Sequence, residues 1–116
     1  MELRRVVITG LGAITPIGNT VSEFWDALCK GVNGAGPITR FDSSKFKTRI
    51  ACEIKNFDSL QFFDRKEARK LDLYEQFAII ASDQAIQDSG ITKDNTDFNE
   101  VGVVFSSGIG GINSFY

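Results

Sequence analysis

The sequence contains no histidine among its 116 residues, and that absence restricts the chemistry the chain can perform. Histidine is the commonest general base and the commonest metal ligand near neutral pH. A serine or cysteine nucleophile in this chain would therefore lack the partner that usually activates it. We expect no catalytic residue, no metal site and no cofactor site within these residues.

Cysteine is scarce too, with Cys29 and Cys52 the two copies. Their separation excludes a C-x-x-C redox motif, and a single pair does not make a disulfide scaffold. The sequence pattern places Cys29 in an amphipathic helix and Cys52 in a strand. We interpret both as small buried apolar residues rather than reactive thiols.

Long apolar runs and an excess of basic charge are missing as well. No stretch approaches the roughly 18 apolar residues of a membrane-spanning helix, and no signal-peptide core follows Met1–Arg5. The net charge of −2 and the isoelectric point near 5.1 argue against general nucleic-acid binding. We therefore predict a cytoplasmic protein that binds neither a membrane nor nucleic acid.

What the sequence does contain is the pattern of one α/β domain. Its hydrophobic content of 42% supports a packed core, and 116 residues suit a single domain. Apolar runs and capping signals alternate as strand, helix, strand, helix and strand, an order typical of a mainly parallel sheet covered by helices. The predicted elements are a buried strand at 4–9, a helix from Thr20 to Lys30, a loop at 31–45, a strand at 48–54, a helix from Asp64 to Gly90 and a buried strand at 101–105. Thr20 with Glu23 and Asp64 with Glu67 have the spacing of capping boxes, which predicts the two helix starts. The broad apolar stripe of the second helix predicts that this helix is largely buried.

Residues 4–19 run from an apolar strand into a glycine-rich turn, the kind of place where nucleotide-binding proteins hold phosphate. A dinucleotide fingerprint requires glycines in the order G-x-G-x-x-G and an acidic residue about 20 positions later. Gly10 and Gly12 satisfy the first two positions, but Thr15 occupies the third and Pro16 follows it. The acidic residue is absent as well. We expect Gly10, Gly12 and Gly18 to serve close packing and turns with positive φ instead.

Four cations lie within six residues at the start of the second predicted helix: Arg65, Lys66, Arg69 and Lys70. At helical spacing Lys66, Arg69 and Lys70 share one face. Such a face attracts an acidic partner, mainly by raising the association rate and fixing orientation. The alternative is a solvated charged face without a partner. Positive charge at a helix start opposes the helix dipole, and this small conflict favours a binding role.

Ile109 follows the last predicted strand and has glycine on both sides. The glycines give the backbone freedom around one projecting apolar side chain. From residue type alone, Ile109 is either part of an apolar binding pocket or one more core residue in a turn.

Together these segments resemble the N-terminal part of the β-ketoacyl-[acyl-carrier-protein] synthases, condensing enzymes of the thiolase-like superfamily. Five motifs support the resemblance, in order and with compatible spacing, over essentially the whole chain. They are residues 5–12 with 15–19, Phe41–Asp42, residues 65–72, residues 84–90 and residues 107–111. Ile109 in the last motif resembles the type II branch, which elongates longer acyl chains, whereas the type I branch tends to have glycine there.

The resemblance implies an α/β, thiolase-like layered αβαβα architecture, of which residues 1–116 form an incomplete N-terminal part. It implies an acyltransferase, homodimeric when intact, that performs a decarboxylative Claisen condensation of an acyl thioester with malonyl-carrier protein in fatty acid elongation. In this family a cysteine and two histidines in the later part of the chain perform the reaction. Neither Cys29 nor Cys52 has the family's nucleophile context, so we expect this segment alone to be inactive.

The resemblance also assigns partners and site residues. Lys66, Arg69 and Lys70 correspond to basic residues that dock the acyl carrier protein. Ile109 corresponds to a residue that lines the acyl pocket and limits the length of the acyl chain. The expected partners are therefore an acyl carrier protein and its acyl and malonyl thioesters.

Two other interpretations stay open at this point. A non-catalytic homologue that partners a condensing enzyme and determines chain length would differ in residues beyond this segment. A nucleotide-binding oxidoreductase is disfavoured by Thr15 and Pro16. The abrupt end at residues 113–116, directly after a glycine turn, suggests that the chain is cut from a larger protein.

Overall fold

The computed structural model describes residues 3–111. The chain divides into two compact units, one formed by Met1–Gly12 with Ser59–Tyr116 and the other by Ala13–Asp58. Within residues 3–111, no helix combines the length and the apolarity that crossing a membrane requires. The chain end at 113–116, where the sequence suggests a cut, lies outside the described residues.

The Ala13–Asp58 unit contains one helix, α1, which spans Val21–Cys29 as its capping signals predict. The Thr20 hydroxyl accepts a hydrogen bond from the Glu23 N–H at 3.2 Å. The Glu23 carboxylate reaches back in turn, to the N–H of Asn19 at 2.8 Å. The first bond satisfies an amide group that the helix start leaves without an intrahelical partner, and the second holds the residue before the cap against the first turn.

The C-terminal end of α1 is a Schellman motif around Gly31, whose φ is 65°. The Gly31 N–H bonds the Leu28 carbonyl at 3.0 Å, and the Val32 N–H bonds the Ala27 carbonyl at 2.9 Å. Glycine is preferred here because the left-handed conformation costs it little. The apolar face of α1 is less buried than the sequence predicts, since Ala27 is buried but Trp25 is 64% exposed.

The sheet of this unit is a short antiparallel pair, β1 at Gly36–Pro37 and β2 at Ile50–Ala51. In its register Gly36 lies opposite Ala51, and Pro37 lies opposite Ile50. The sheet of the described residues is therefore antiparallel, whereas the order of elements in the sequence predicted mainly parallel pairing.

Both sequence predictions for this region were wrong in extent. The predicted loop at 31–45 contains β1, and the predicted strand at 48–54 shortens to β2. A two-residue partner strand bonds only part of the segment, and Cys52 is exposed beside it. Because Cys29 is exposed as well, the expectation that both cysteines are buried was also wrong.

Between Asp64 and Gly90, where the sequence predicted one helix, the other unit contains two. Helix α2 spans Arg65–Ala68 and α3 spans Leu73–Ser89, with 3₁₀ turns at Ser59–Gln61 and Phe98–Glu100. The break occurs because Asp72 is extended, with φ −64° and ψ 155°, and begins a new helix. Its N–H donates to the Glu75 carboxylate at 2.8 Å, half of a second capping box that the sequence reading overlooked.

Among the described residues of this unit, the buried ones lie on α3: Gln76, Ala78 and Ile80. It ends at Gly90, whose φ of 66° is left-handed. The prediction of a largely buried helix holds for one face only, since Ile79 is 46% exposed. The rest of the unit therefore covers α3 from one side.

Gly10 and Gly12 pack against the backbone of α3, as the sequence predicted. A Cβ atom on Gly12 would collide with the Ala81 carbonyl, and one on Gly10 would lie 2.6 Å from the Ser89 nitrogen. Between them, the Leu11 N–H donates to the Asp88 carboxylate at 2.9 Å. The segment thus approaches the helix more closely than any residue with a side chain allows.

Positive φ angles occur at other glycines than the sequence predicted. In the described part of the chain they belong to Gly31, Gly90 and Gly110. The prediction of positive φ at Gly10, Gly12 and Gly18 was therefore wrong. Close contact with neighbouring backbone explains those glycines instead.

Residues 4–9 and 101–105, which we call the two unpaired segments, were predicted as buried strands, and both predictions were wrong. Within residues 3–111 neither segment pairs with a strand. Their side chains are exposed, including Val6 at 89% and Val104 at 96%. A strand takes its backbone hydrogen bonds from a neighbouring strand. The described residues supply no such neighbour.

Candidate functional site

The turn at Thr15–Gly18 uses its backbone donors internally. The Thr15 N–H donates to the Gly18 carbonyl at 2.8 Å, and the Gly18 N–H donates to the Thr15 carbonyl at 3.3 Å. The Thr15 hydroxyl accepts a 3.3 Å bond from the Ile17 N–H. A phosphate-binding loop must present such N–H groups to its ligand. Here those groups already have partners.

The start of α1 is closed to an anion as well. The N–H groups of Asn19 and Glu23 donate to the Glu23 carboxylate and the Thr20 hydroxyl. The negative Glu23 side chain thus lies where the helix dipole would attract a phosphate. This geometry agrees with the failed dinucleotide fingerprint. Nor does any group of three or more His, Cys, Asp or Glu side chains in residues 3–111 form a potential metal site.

The four clustered cations lie on one turn, residues 64–71, which we call the basic turn. The Asp64 carboxylate accepts bonds from the N–H groups of Lys66 at 2.7 Å and Glu67 at 2.8 Å. The Glu67 carboxylate accepts the Asp64 N–H at 3.4 Å, so the predicted capping box is confirmed. The Leu71 N–H bonds the Glu67 carbonyl at 3.2 Å, which extends helical bonding past the end of α2.

The cations of the basic turn are exposed. Lys66, Arg69 and Lys70 all reach solvent, and spacings of three and four residues on a helical turn place them on one face. An open depression of about 290 Å³ adjoins them, lined by Leu60, Arg65, Ala68 and Arg69. The surface therefore combines clustered positive charge with a partly apolar hollow.

Gln76 of α3 holds the C-terminal half of the basic turn. Its side-chain amide nitrogen donates to the Ala68 carbonyl at 3.0 Å and to the Leu71 carbonyl at 2.9 Å. Its amide oxygen accepts the Ser59 hydroxyl at 2.6 Å. The turn is thus fixed by its capping box at one end and by α3 at the other.

Ile109 lies in a separate loop and is 75% exposed. Gly110, the next residue, has a φ of 82°, and its N–H donates to the Ser107 hydroxyl at 3.2 Å. Gly111 lies against the Asp72 carboxylate, where any Cβ atom would overlap it. Because Asp72 directly follows the basic turn, the structure brings the loop of Ile109 next to the end of that turn.

Carboxylates border the basic turn where α3 begins. The Tyr74 hydroxyl donates to the Glu75 carboxylate at 3.4 Å. Partial burial of the ring, followed by the Glu75 and Asp72 carboxylates, raises the pKa of Tyr74 above its ordinary value of 10.0. The exposed positive face is therefore limited on this side by negative charge.

The sequence did not predict the roles of two residues in this region, Gln76 and Asp72. Gln76 stands three residues after Leu73 and four before Ile80, inside the apolar stripe of α3. A polar residue within such a stripe is the signal that would have identified it. Asp72 precedes Glu75 with the spacing of a capping box. The predicted helix instead begins at Asp64, which has the same spacing to Glu67.

Known proteins are similar to this chain in sequence and in fold. The family model for the β-ketoacyl synthase N-terminal domain matches residues 3–115. The 3-oxoacyl-[acyl-carrier-protein] synthase 2 of Synechocystis sp. is 51% identical over 112 residues, or 97% of this chain. The proteins of the same name from Coxiella burnetii and Staphylococcus aureus are 51% and 43% identical over the same length. The chain spans 27% of the length of each of these curated relatives.

Solved structures agree. The ishigamide ketosynthase/chain length factor matches with a TM-score of 0.70 and 38% identity, over 79% of this chain and 23% of that one. A type II polyketide synthase acyl-carrier protein in complex with its ketosynthase bound to the hexaketide matches with a TM-score of 0.57 and 23% identity, over 78% and 23%. The expected α/β, thiolase-like fold class and the resemblance stated from the motifs are both confirmed.

Proposed function

The chain belongs to the β-ketoacyl synthase family through its N-terminal domain, and from that premise we propose that it is part of an acyltransferase of fatty acid elongation. The reaction is the decarboxylative Claisen condensation of a carrier-bound acyl thioester with malonyl-carrier protein. The observation that supports this most is 51% identity, over 97% of the chain, to a 3-oxoacyl-[acyl-carrier-protein] synthase 2.

Within that reaction, the proposed role of this chain is to bind the carrier protein. Lys66, Arg69 and Lys70 are exposed on one face of a turn that hydrogen bonds fix at both ends. A fixed cluster of positive charge attracts and orients an acidic partner better than scattered lysines do. The acidic partner we assign to this face is the acyl carrier protein.

The proposed role of Ile109 is to line the acyl pocket and limit chain length. Its side chain projects from a loop in which Gly110 has a left-handed φ of 82°. It is 75% exposed, which leaves room for an acyl chain or for further protein to cover it. Ile109→Gly should lengthen the accepted acyl chain and Ile109→Phe should shorten it. If neither variant changed product length, the assignment would be wrong.

Residues 1–116 form the N-terminal part of one thiolase-like domain, and the catalytic cysteine and histidines lie beyond them. The intact protein is a cytoplasmic homodimer. This chain supplies docking and pocket residues and no catalytic residue, and its share of 27% of the relatives' length supports that division.

A chimera tests the proposal. Residues 1–116 replace the matching 27% of the Synechocystis relative, and condensation of acyl- and malonyl-carrier proteins is measured. We expect activity, and we expect Lys66→Glu with Arg69→Glu to raise the KM for acyl-carrier protein about tenfold at low salt. The reaction of a small acyl thioester, which needs no docking, should not change.

The matched control is Lys45→Glu with Lys47→Glu, an equal charge change at exposed positions of the Ala13–Asp58 unit. This pair should alter the KM for acyl-carrier protein by less than about twofold. A folded chimera without activity would refute the condensing function. Equal effects of the two pairs would refute docking at the basic turn.

The alternative function is a non-catalytic partner that determines chain length. It is favoured by the 38% identity to a solved ketosynthase/chain length factor. The two functions differ in the catalytic cysteine and histidines, so the sequence of the source gene beyond residue 116 separates them. A cysteine in the family's nucleophile context with both histidines supports the condensing enzyme, and their absence supports the partner.

A further inference from the structure

Gln76 is the one buried polar side chain among residues 3–111, with 4% of its surface exposed. It lies near the start of α3, in line with apolar neighbours. Burying an amide is unfavourable unless its donors and acceptor are all bonded. Gln76 can therefore be buried only if its amide nitrogen and oxygen both have hydrogen-bond partners.

The three bonds of Gln76 define its orientation and its purpose. The nitrogen must face the Ala68 and Leu71 carbonyls, since only the NH₂ group can donate to them. The oxygen accepts the Ser59 hydroxyl at 2.6 Å. Glutamate could not donate to these carbonyls, and a lysine would bring a buried charge. The site is specific for a neutral amide.

The two carbonyl acceptors bracket the docking cations. Ala68 precedes Arg69, and Leu71 follows Lys70, so Gln76 fixes the backbone on both sides of these two residues. Arg69 and Lys70 are exposed while Gln76 is buried. Gln76 can therefore set where the two charges point without touching a docked partner.

The basic turn needs such a support. Helix α2 has four residues, fewer than a helix requires for stability by itself. Its cations repel one another at neighbouring positions and oppose the helix dipole. The capping box at Asp64 fixes the N-terminal end only. Without Gln76 the C-terminal end would have fewer bonds holding it against this repulsion.

We infer that Gln76 is a positioning residue, which holds the basic turn in the conformation that docks the acyl carrier protein. The inference rests on the proposed function and deepens it by separating two contributions to docking. Lys66, Arg69 and Lys70 supply the charge. Gln76 supplies its placement.

The test uses the chimera with Gln76→Met, which keeps an unbranched neutral side chain and removes every hydrogen bond. Gln87→Met on the exposed face of the same helix is the matched control. We expect Gln76→Met to raise the KM for acyl-carrier protein about threefold to tenfold, with kcat and the reaction of a small acyl thioester unchanged. Gln87→Met should leave all three unchanged.

Salt dependence separates placement from charge. Because Gln76→Met leaves the cations in the chain, its KM should rise with salt as steeply as that of the parent chimera. Lys66→Glu with Arg69→Glu should flatten the dependence. Ser59→Ala, which removes one bond and leaves Gln76 itself intact, should give a smaller rise in the same direction.

The outcomes distinguish failure of the positioning role of Gln76 from failure of the docking function of the basic turn. An unchanged KM for acyl-carrier protein in Gln76→Met overturns the positioning role while the charge-reversed pair still tests docking. Equal losses with carrier-bound and small thioesters would assign Gln76 to general folding and also overturn it. If Lys66→Glu with Arg69→Glu leaves the KM for acyl-carrier protein unchanged, the proposed docking function itself is refuted.

Discussion

The basic turn with α3 differs from the two unpaired segments in where its hydrogen bonds come from. In the first region, several partners lie close in sequence: Asp64 bonds the Glu67 N–H, the Asp72 N–H bonds Glu75, and Gln76 bonds Leu71. Gln76 and Asp88 add bonds to the more distant Ser59 and Leu11. In residues 4–9 and 101–105, no strand partner lies within residues 3–111 and the apolar side chains are exposed. The basic turn and α3 therefore have hydrogen-bond partners within the described residues, whereas residues 4–9 and 101–105 have no strand to pair with there.

This difference explains the division of roles that we propose. A locally bonded turn can present charge in a fixed geometry, which docking requires. Segments that have exposed valines and no strand partner within residues 3–111 are suited to pairing with further strands. This chain spans 27% of the length of the Synechocystis relative, and we propose that the partner strands lie in the remaining 73%.

Hydrogen exchange should show the largest contrast between the two regions. In the 116-residue chain, amides of residues 4–9 and 101–105 should exchange within about tenfold of unprotected rates, and central amides of α3 at least about 100-fold more slowly. In the chimera, the two unpaired segments should gain at least about 100-fold protection because partner strands become available. An active chimera without that gain would contradict the comparison.

Gly12→Val should disrupt the close packing against α3 of the residues that follow segment 4–9. A Cβ atom there collides with the Ala81 carbonyl, so we expect a loss of about 3 kcal/mol or more in the unfolding free energy of the chimera. Gly102→Ala is the control, because its Cβ meets no atom within 4 Å. Thermal unfolding measures both, and equal melting temperatures would refute the close packing.

A smaller effect tests local satisfaction in the Ala13–Asp58 unit. The hydroxyl and N–H of Thr39 bond the Glu53 carboxylate at 2.6 and 3.1 Å, which lowers the pKa of Glu53 below 4.5. A lowered folded-state pKa stabilises the fold above the ordinary value, and this stabilisation is lost as pH falls through the lowered one. Thr39→Val should raise the pKa of Glu53 in an NMR titration.

Asp42 provides the internal control for that titration. The Ser44 N–H bonds its carboxylate at 2.9 Å and lowers its pKa independently of Thr39. The pKa of Asp42 should therefore stay lowered in Thr39→Val. A shift of both carboxyls would indicate a general change of the unit, and no shift of Glu53 would show that the Thr39 hydroxyl bond is not formed.

What the sequence could predict follows the same contrast. The caps at Thr20 and Asp64 were predicted correctly because their partners lie three residues away. The break at Asp72 was missed although its partner Glu75 is equally near, because one continuous helix starting at Asp64 was predicted. The strands predicted at residues 4–9 and 101–105 were wrong, because strand pairing depends on distant backbone that local patterns do not encode.

The candidate site shows a similar division. Residue type and spacing predicted that Lys66, Arg69 and Lys70 form a docking surface. All three are exposed, and their docking role stays a prediction. The assignment of Ile109 to an acyl pocket stays a prediction that came from the resemblance. Gln76 was missed because its role arises from contacts with Ala68 and Leu71, which the predicted continuous helix would not have brought within its reach.

The central claim is that the basic turn binds an acyl carrier protein, and binding affinity as a function of salt tests it most directly. The account predicts that the chimera binds holo-acyl carrier protein more weakly as salt rises. Lys66→Glu with Arg69→Glu should weaken binding at least about tenfold at low salt, and Lys45→Glu with Lys47→Glu less than about twofold. Equal low-salt affinities for the parent and the Lys66 and Arg69 variant would contradict the claim.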